Sequence, residues 1–217
     1  MTTLEIENEA NTGLIANADF NIGFCLRRAI IPEFLDGVGN PGWRRRIAFS
    51  NVVAGDTGFT LPRDFLNMEG VYMPQCSCSG GLPFIGDDPG RMAGVTTTGT
   101  AYEPSGYYIS NTPGPGVQYF QRLNFTAPLD KAYAVTVIYY FQAVFPDNTS
   151  DVDLSQYIPE HFQYSLIYGL RRDIYIDRYG QGDPRADAAA AKFNDGITNA
   201  KRGDMELARV HRPRFIR

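Results

Sequence analysis

The side chains able to do chemistry are few and scattered along the chain. His161 and His211 are the only histidines. One falls in a stretch of helical periodicity and the other close to the last residue, so neither imidazole has an evident partner for general acid or base work. Three cysteines, Cys25, Cys76 and Cys78, cannot all pair, and Cys76-x-Cys78 lacks the second Cys or His pair of a structural zinc site. Free thiols are expected. Asp147-Asn-Thr-Ser-Asp-Val-Asp153 opens like a calcium loop, but Val152 stands where the sharp turn needs Gly and Ile158 where a bidentate Glu is needed. Gly114-Pro-Gly116 is not followed by the Lys-Ser/Thr of a phosphate cradle, and Gly180-Gln-Gly182 runs into Asp183, which repels phosphate. Asp64, Glu69, Asp87, Asp88 and Glu103 lie in segments of β and loop character, where a suitably spaced pair could hydrolyse a glycosidic bond. Solvated surface carboxylates are the plainer reading. The sequence therefore predicts no catalytic residue, no cofactor and no metal.

Composition narrows the class further. With 217 residues, 43% hydrophobic and 20% charged, the chain can bury a sizeable core. A net charge of -4 and a pI near 5.2 argue against a protein whose task is to grip nucleic-acid phosphates. No stretch approaches the roughly 20 apolar residues that cross a bilayer, and residues 1–11 lack the basic start and apolar run of a secretory signal. A soluble, intracellularly made protein without a membrane partner is expected.

The elements follow from periodicity. Residues 14–35 carry apolar positions at near-helical spacing, weakened by Gly23 and Pro32, which predicts one helix or two short ones. A turn cluster over 36–42 ends it, and 43–53 alternate as a strand. Residues 55–72 predict a strand, a one-turn helix opened at Pro62, and a second strand. Residues 74–116, crowded with Gly, Pro, Ser and Thr, read as a long loop or hairpin arm. Strand character returns at 117–125 and 132–144. Both faces of the second are largely apolar, so it should be covered on two sides.

Two helices close the chain, 156–179 and 184–207. Ile158, Phe162, Leu166, Leu170 and Ile174 recur every four residues on the first. Asp183 as N-cap and Pro184 at the first position open the second, whose stripe is Ala186, Ala189, Ala190, Phe193, Ile197 and Ala200. Gly169, Gly196 and Gly203 are either tolerated flaws or points where another backbone comes near. Phe162, Leu166, Leu170, Phe193 and Ile197 are expected to form a subunit–subunit helix face. Residues 209–217 form a basic tail ending in Phe215-Ile216-Arg217.

This order of elements resembles the head-to-tail adaptor (connector, neck) proteins of tailed bacteriophages, of the short-tailed-phage type. The resemblance rests on the opening amphipathic helix, on Leu61-Pro-Arg-Asp-Phe-Leu66 followed by Glu69-Gly-Val-Tyr72, and on the run Val137-Ile-Tyr-Tyr140, Tyr157-Ile-Pro159, Leu166-Ile-Tyr-Gly169 and Asp183-Pro-Arg-Ala-Asp187. It implies an α+β chain: a helical bundle, made of an N-terminal helix and a C-terminal helix hairpin, with an inserted antiparallel β domain and an extended C-terminal tail. The expected divisions are 1–40 helical, 41–149 inserted β domain with the arm at 74–116, 150–208 hairpin, and 209–217 tail.

The resemblance further implies a structural virion protein, not an enzyme, assembled in the host cytoplasm into a ring of twelve copies between the portal protein and the tail. Genomic DNA would pass through the ring channel without specific binding. The tail residues Arg209, His211, Arg212, Arg214, Phe215, Ile216 and Arg217 would reach the portal, and the β side would meet a tail nozzle or tail-tube protein. The chain departs from the family pattern at 74–116. A tail-tube or nozzle component is the alternative, and a tail-borne glycan hydrolase a more distant one.

Overall fold

The computed structural model describes residues 1–13, 20–77, 81–86, 100–113, 119–145 and 151–210. It divides into two compact units, Met1–Arg44 with Gln142–Arg217, and Arg45–Phe141. The class is α+β, with the helices in one unit and two small antiparallel sheets in the other.

The helical unit opens with α1 (Thr3–Asn11), a helix that apolar periodicity over 14–35 does not announce. Thr2 and Glu5 make a capping box, each satisfying the other's backbone N–H, and Ile6 and Ala10 are buried on one face. A second helical stretch runs through α2 (Ile22–Cys25), a π turn (Leu26–Ile30) and α3 (Ile31–Val38). Pro32 explains the interruption. It has no N–H and its ring crowds the carbonyl four residues back, and the widened turn immediately before it absorbs both. Arg44, nearly fully buried, ends α3 by donating to the carbonyl oxygens of Leu35, at 2.7 Å, and Gly39. The Leu35 carbonyl also accepts the Gly39 N–H at 3.0 Å, so Arg44 adds a second donor at the helix terminus, where carbonyls lack intrahelical partners. Burial holds the Arg44 guanidinium below its usual pKa.

After a 3-10 turn at Leu154–Gln156 come α4 (Glu160–Tyr179) and α5 (Pro184–Val210). Gly180 and Gly182, with φ of 87° and 92°, make the reversal between them, a conformation side chains rarely adopt. A Cβ on Gly169 would stand 2.8 Å from Ile30 Cγ2 and 2.9 Å from Phe193, and one on Gly196 2.0 Å from Ser165 Oγ. Both glycines are therefore required by close packing, whereas Gly203 meets Phe162 at an ordinary 3.5 Å.

The β unit holds β1 (Arg45–Val52), β2 (Gly58–Thr60), β3 (Phe65–Tyr72), β4 (Tyr107–Pro113), β5 (Tyr119–Phe125) and β6 (Tyr133–Phe141). They form two sheets, ordered β1-β6-β3 and β2-β5-β4, with every pairing antiparallel. Tyr133, Val135, Val137, Tyr139 and Phe141 of β6 are buried, and the alternate residues are half-buried or exposed. Within this chain the strand is thus covered on one face, and of the covers expected for the second face, a second sheet, helices or a neighbouring subunit, the described residues supply only part.

Two further expectations change. No helix forms at Pro62: residues 62–65 make a single turn, Phe65 N–H donating to Pro62 O at 3.0 Å, and the chain passes straight into β3. Of the long loop or hairpin arm expected over 74–116, β4 takes the hairpin form, because antiparallel pairing with β5 along its whole length satisfies its backbone. The expectation of three free thiols is also revised, since Cys76 is disulfide-bonded while Cys25 stays free; Cys78 lies outside the described residues.

Candidate assembly surfaces

The five residues expected to face a neighbouring subunit lie elsewhere. Leu166, Leu170 and Phe193 have no exposed surface, and Phe162 and Ile197 are packed half-buried against the same core as Ile6, Leu26, Ile30 and Phe34. Phe193 meets Phe34 with ring centroids 6.2 Å apart. The stripe is real, but the helices near the start of the same chain cover Leu166, Leu170 and Phe193, which leaves those three no surface to offer a neighbouring subunit, while Phe162 and Ile197 stay partly exposed. An apolar stripe specifies burial and does not specify what buries it.

The exposed side of the hairpin is aromatic and cationic. A groove of about 200 Å³ between α4 and α5 is lined by Tyr168, Arg171, Tyr175, Arg185, Ala188, Ala189 and Lys192. Each cation in it is engaged. Arg185 grips both Asp183 carboxylate oxygens at 3.0 and 2.9 Å and lies 4.0 Å over the Tyr179 ring. The hydrogen bond from Arg185 holds the Asp183 carboxyl below its usual pKa. Lys192 sits 4.8 Å over Tyr168, and Arg171 donates to Glu9 O at 2.8 Å, capping the end of α1.

Elsewhere in the helical unit, Arg172 makes a two-pronged pair with the exposed Glu33, 2.8 Å on each arm, and its hydrogen bonds lower the Glu33 carboxyl. Cys25 donates to Asp173 Oδ2 at 3.3 Å, and burial, aided by that carboxylate, pushes its thiol up to about 12. Such a thiol is not a nucleophile at neutral pH.

The residues expected to carry chemistry are dispersed. His161 is exposed, its ring against Phe162 at 3.9 Å. Asp64 accepts from Tyr139 Oη at 3.0 Å and pairs with Arg46, whose guanidinium lies 4.2 Å over Phe141. Burial and the adjoining Asp64 carboxylate push Tyr139 up to about 12. Glu69 pairs with Arg45 at 2.7 Å, and Glu103 accepts from the Ser77 backbone and hydroxyl, which lower its pKa. The described carboxylates of the glycosidase reading thus brace strands and loops; Asp87 and Asp88 lie outside the described residues. Among the described residues no three metal-binding side chains converge, and no helix is long and apolar enough to cross a membrane. Arg209 falls within α5, which continues the helix past the start expected for the tail, and 211–217 lie outside the described residues.

The β unit carries the surface that sequence reasoning did not single out. Phe49 is 80% exposed and Ile47 55%, side by side on one face of β1. Register extends that face: Phe49 aligns with Thr136 and Tyr72, and Ile47 with Ile138 and Gly70. Alternation along 43–53 could have marked it, because the outward positions are as apolar as the inward ones.

A two-unit α+β chain whose described charges brace its own elements, and whose apolar groups remain outside on a strand edge, is built for contact with other proteins. The family comparison is specific on this point: the SU10 adaptor protein family matches residues 19–214, and the chain belongs to that family. It is a phage head-to-tail adaptor and a virion component, and the family implies contacts with portal and tail proteins. No curated protein matches the sequence.

Proposed function

We propose that this chain is the short-tailed-phage form of the adaptor: copies, twelve in number, join head to tail into a ring between portal and tail and line the DNA exit path without enzymatic activity. The observation that carries the reading is the division of labour within a family member. One unit builds a helical core from segments near the start of the chain and from the hairpin, and the inserted unit leaves Phe49, Ile47 and Tyr72 exposed. The acidic balance of -4 supports a channel through which DNA slides, since fixed cations would retain phosphates. Thirteen Tyr and 14 Phe supply amphipathic surface suited to burial on assembly.

In this reading Arg209, His211, Arg212, Arg214, Phe215, Ile216 and Arg217 dock on the portal, the arginines steering the encounter and Phe215-Ile216 anchoring it. The β unit meets the nozzle or tail-tube protein. Electron microscopy of the full chain mixed with portal should show one added layer directly on the portal. Deleting 209–217 should reduce portal attachment at least about tenfold, the scale of a lost anchor, with unfolding unchanged. Equal attachment by the truncated chain would remove the docking role from the tail.

A further inference from the structure

The groove between α4 and α5 runs against the charge of the chain as a whole. Net charge is -4, yet the groove is lined by two tyrosines, two alanines and three cations, with no carboxylate among its described walls. Arg185 is answered by Asp183. The other two cations meet mainly neutral groups: Arg171 donates to the backbone oxygens of Glu9 and Ala10, with the Glu9 carboxylate 3.8 Å away, and Lys192 faces the Tyr168 ring at 4.8 Å. Among the described residues Lys192 has no carboxylate partner. An aromatic face or a carbonyl attracts a cation without cancelling its charge.

The chain has little of its own to place there. Glu7 pairs with Arg27, Glu33 with Arg172, Asp64 with Arg46 and Glu69 with Arg45, while Asp151, Asp153 and Glu103 accept backbone N–H groups. Asp187 and Asp195 are exposed, but they stand on α5 itself, so a second copy presenting them would bring its Arg185 and Lys192 toward the same cations. The basic residues 209–217 meet like charge in the groove. A nucleic-acid backbone fits no better, because its closely spaced phosphates would run past Asp187 and Asp195 on the helix that bears two of the three cations.

We infer that this groove receives a carboxylate-bearing segment of the portal protein, whose Asp or Glu pairs with Lys192 and Arg171 while an adjoining apolar group rests on the tyrosine and alanine surface. Charge selects the acidic partner. Tyrosine and arginine side by side are the composition of interface anchors. The portal is the source because α5, which carries Arg185 and Lys192, continues into the residues proposed above to dock there. Lys192 and Val210 lie about 27 Å apart along that helix, a span that one large partner covers. The inference rests on that reading and adds a second contact to it.

Carbodiimide coupling tests it, because the reagent joins an amine to a carboxylate only where the two touch. The full chain is assembled on portal particles, coupled, digested and mapped by mass spectrometry. An amide between Lys192 and a portal Asp or Glu is expected. No Lys192 amide, or one to a tail protein, to another copy or within its own chain, overturns the groove contact. In parallel, Lys192→Glu should lower portal attachment about tenfold, as an attractive pair becomes a repulsive one, with an unchanged thermal midpoint, and a lysine placed at the coupled portal carboxylate should restore it. Undiminished attachment, or loss without that rescue, overturns the inference, as does duplex DNA binding that Lys192→Glu abolishes. Assembly without the Lys192 amide defeats the groove alone, whereas an unsubstituted chain that never joins portal particles defeats the adaptor reading and the groove together.

Discussion

Phe193 and Phe49 lie in different units of the same chain and meet opposite fates. Phe193 has no exposed surface and sits among Phe34, Gly169 and Ile30, whereas Phe49 is 80% exposed on an end strand. The helical unit can complete its core alone because three chain segments, the two helical stretches near the start and the hairpin near the end, converge on one stripe. The described residues of the β unit form two three-stranded sheets, which cover one face of β6 and leave the other half-open. Two small sheets have too little area to bury both faces, so apolar groups on the outer face are left for another molecule to cover. Apolar content alone does not distinguish self-sufficiency from readiness to assemble; the number of elements around each stripe does.

The widest contrast comes from one substitution made in both places. Phe193→Ala should destabilise the helical unit by about 3–5 kcal/mol, the cost of emptying a packed aromatic site, measured by denaturant unfolding. Phe49→Ala should stay within about 0.5 kcal/mol of the unsubstituted protein. Similar losses at both sites would end the distinction drawn between the units.

Gly196→Ala sharpens the comparison within the hairpin. Alanine ordinarily favours a helix over glycine by about 1 kcal/mol, but here its methyl would overlap Ser165 Oγ and Cβ, at 2.0 and 2.4 Å. A net loss of about 1–3 kcal/mol is expected from overpacking. A gain in thermal midpoint would mean that α4 and α5 stand further apart than described.

The smallest effect is electrostatic and depends on pH. The hydrogen bond from Arg172 lowers the Glu33 carboxyl from its usual 4.5, so the folded state favours the ionised form. That contribution is present above the unfolded value and disappears as pH falls through the lower folded one. Glu33 is largely exposed, and solvent keeps the pair under about 1 kcal/mol. The stability difference between the unsubstituted protein and Glu33→Gln should therefore be measurable at neutral pH and shrink as pH falls below the carboxyl's ordinary 4.5. A difference that grows with acidity would reverse the assignment.

Much of the hairpin was legible. The four-residue recurrence from Ile158 to Ile174, Asp183-Pro184 as a start and Gly180 as a stop are local signals, and α4 and α5 follow them. The first helix was missed although its signal was present: Thr2-x-x-Glu5 is a capping box, and attention to apolar periodicity alone passes over a helix with only two buried apolar positions. β4 was missed because Gly, Pro and Ser around it masked Tyr107-Tyr108-Ile109, and its stability comes from a partner strand rather than from its own residues. The family resemblance was legible in the order of motifs, and the family match covers most of the chain. The exposed face of β1 was not, since register decides which residues line up across a sheet.

By itself the sequence determined the hairpin with its caps and turn, the strand positions with strong β propensity, and the acidic balance of the chain. These depend on neighbours within a few residues or on simple counts. Only the tertiary structure decided that Leu166, Leu170 and Phe193 are interior, that Gly169 and Gly196 admit a close helix crossing, and that residues 82–85 strap β3 to β4. The reason is physical: periodicity gives the direction in which a side chain points, and the identity of what it meets is fixed by segments more than a hundred residues away along the chain, as Phe34 is from Phe193.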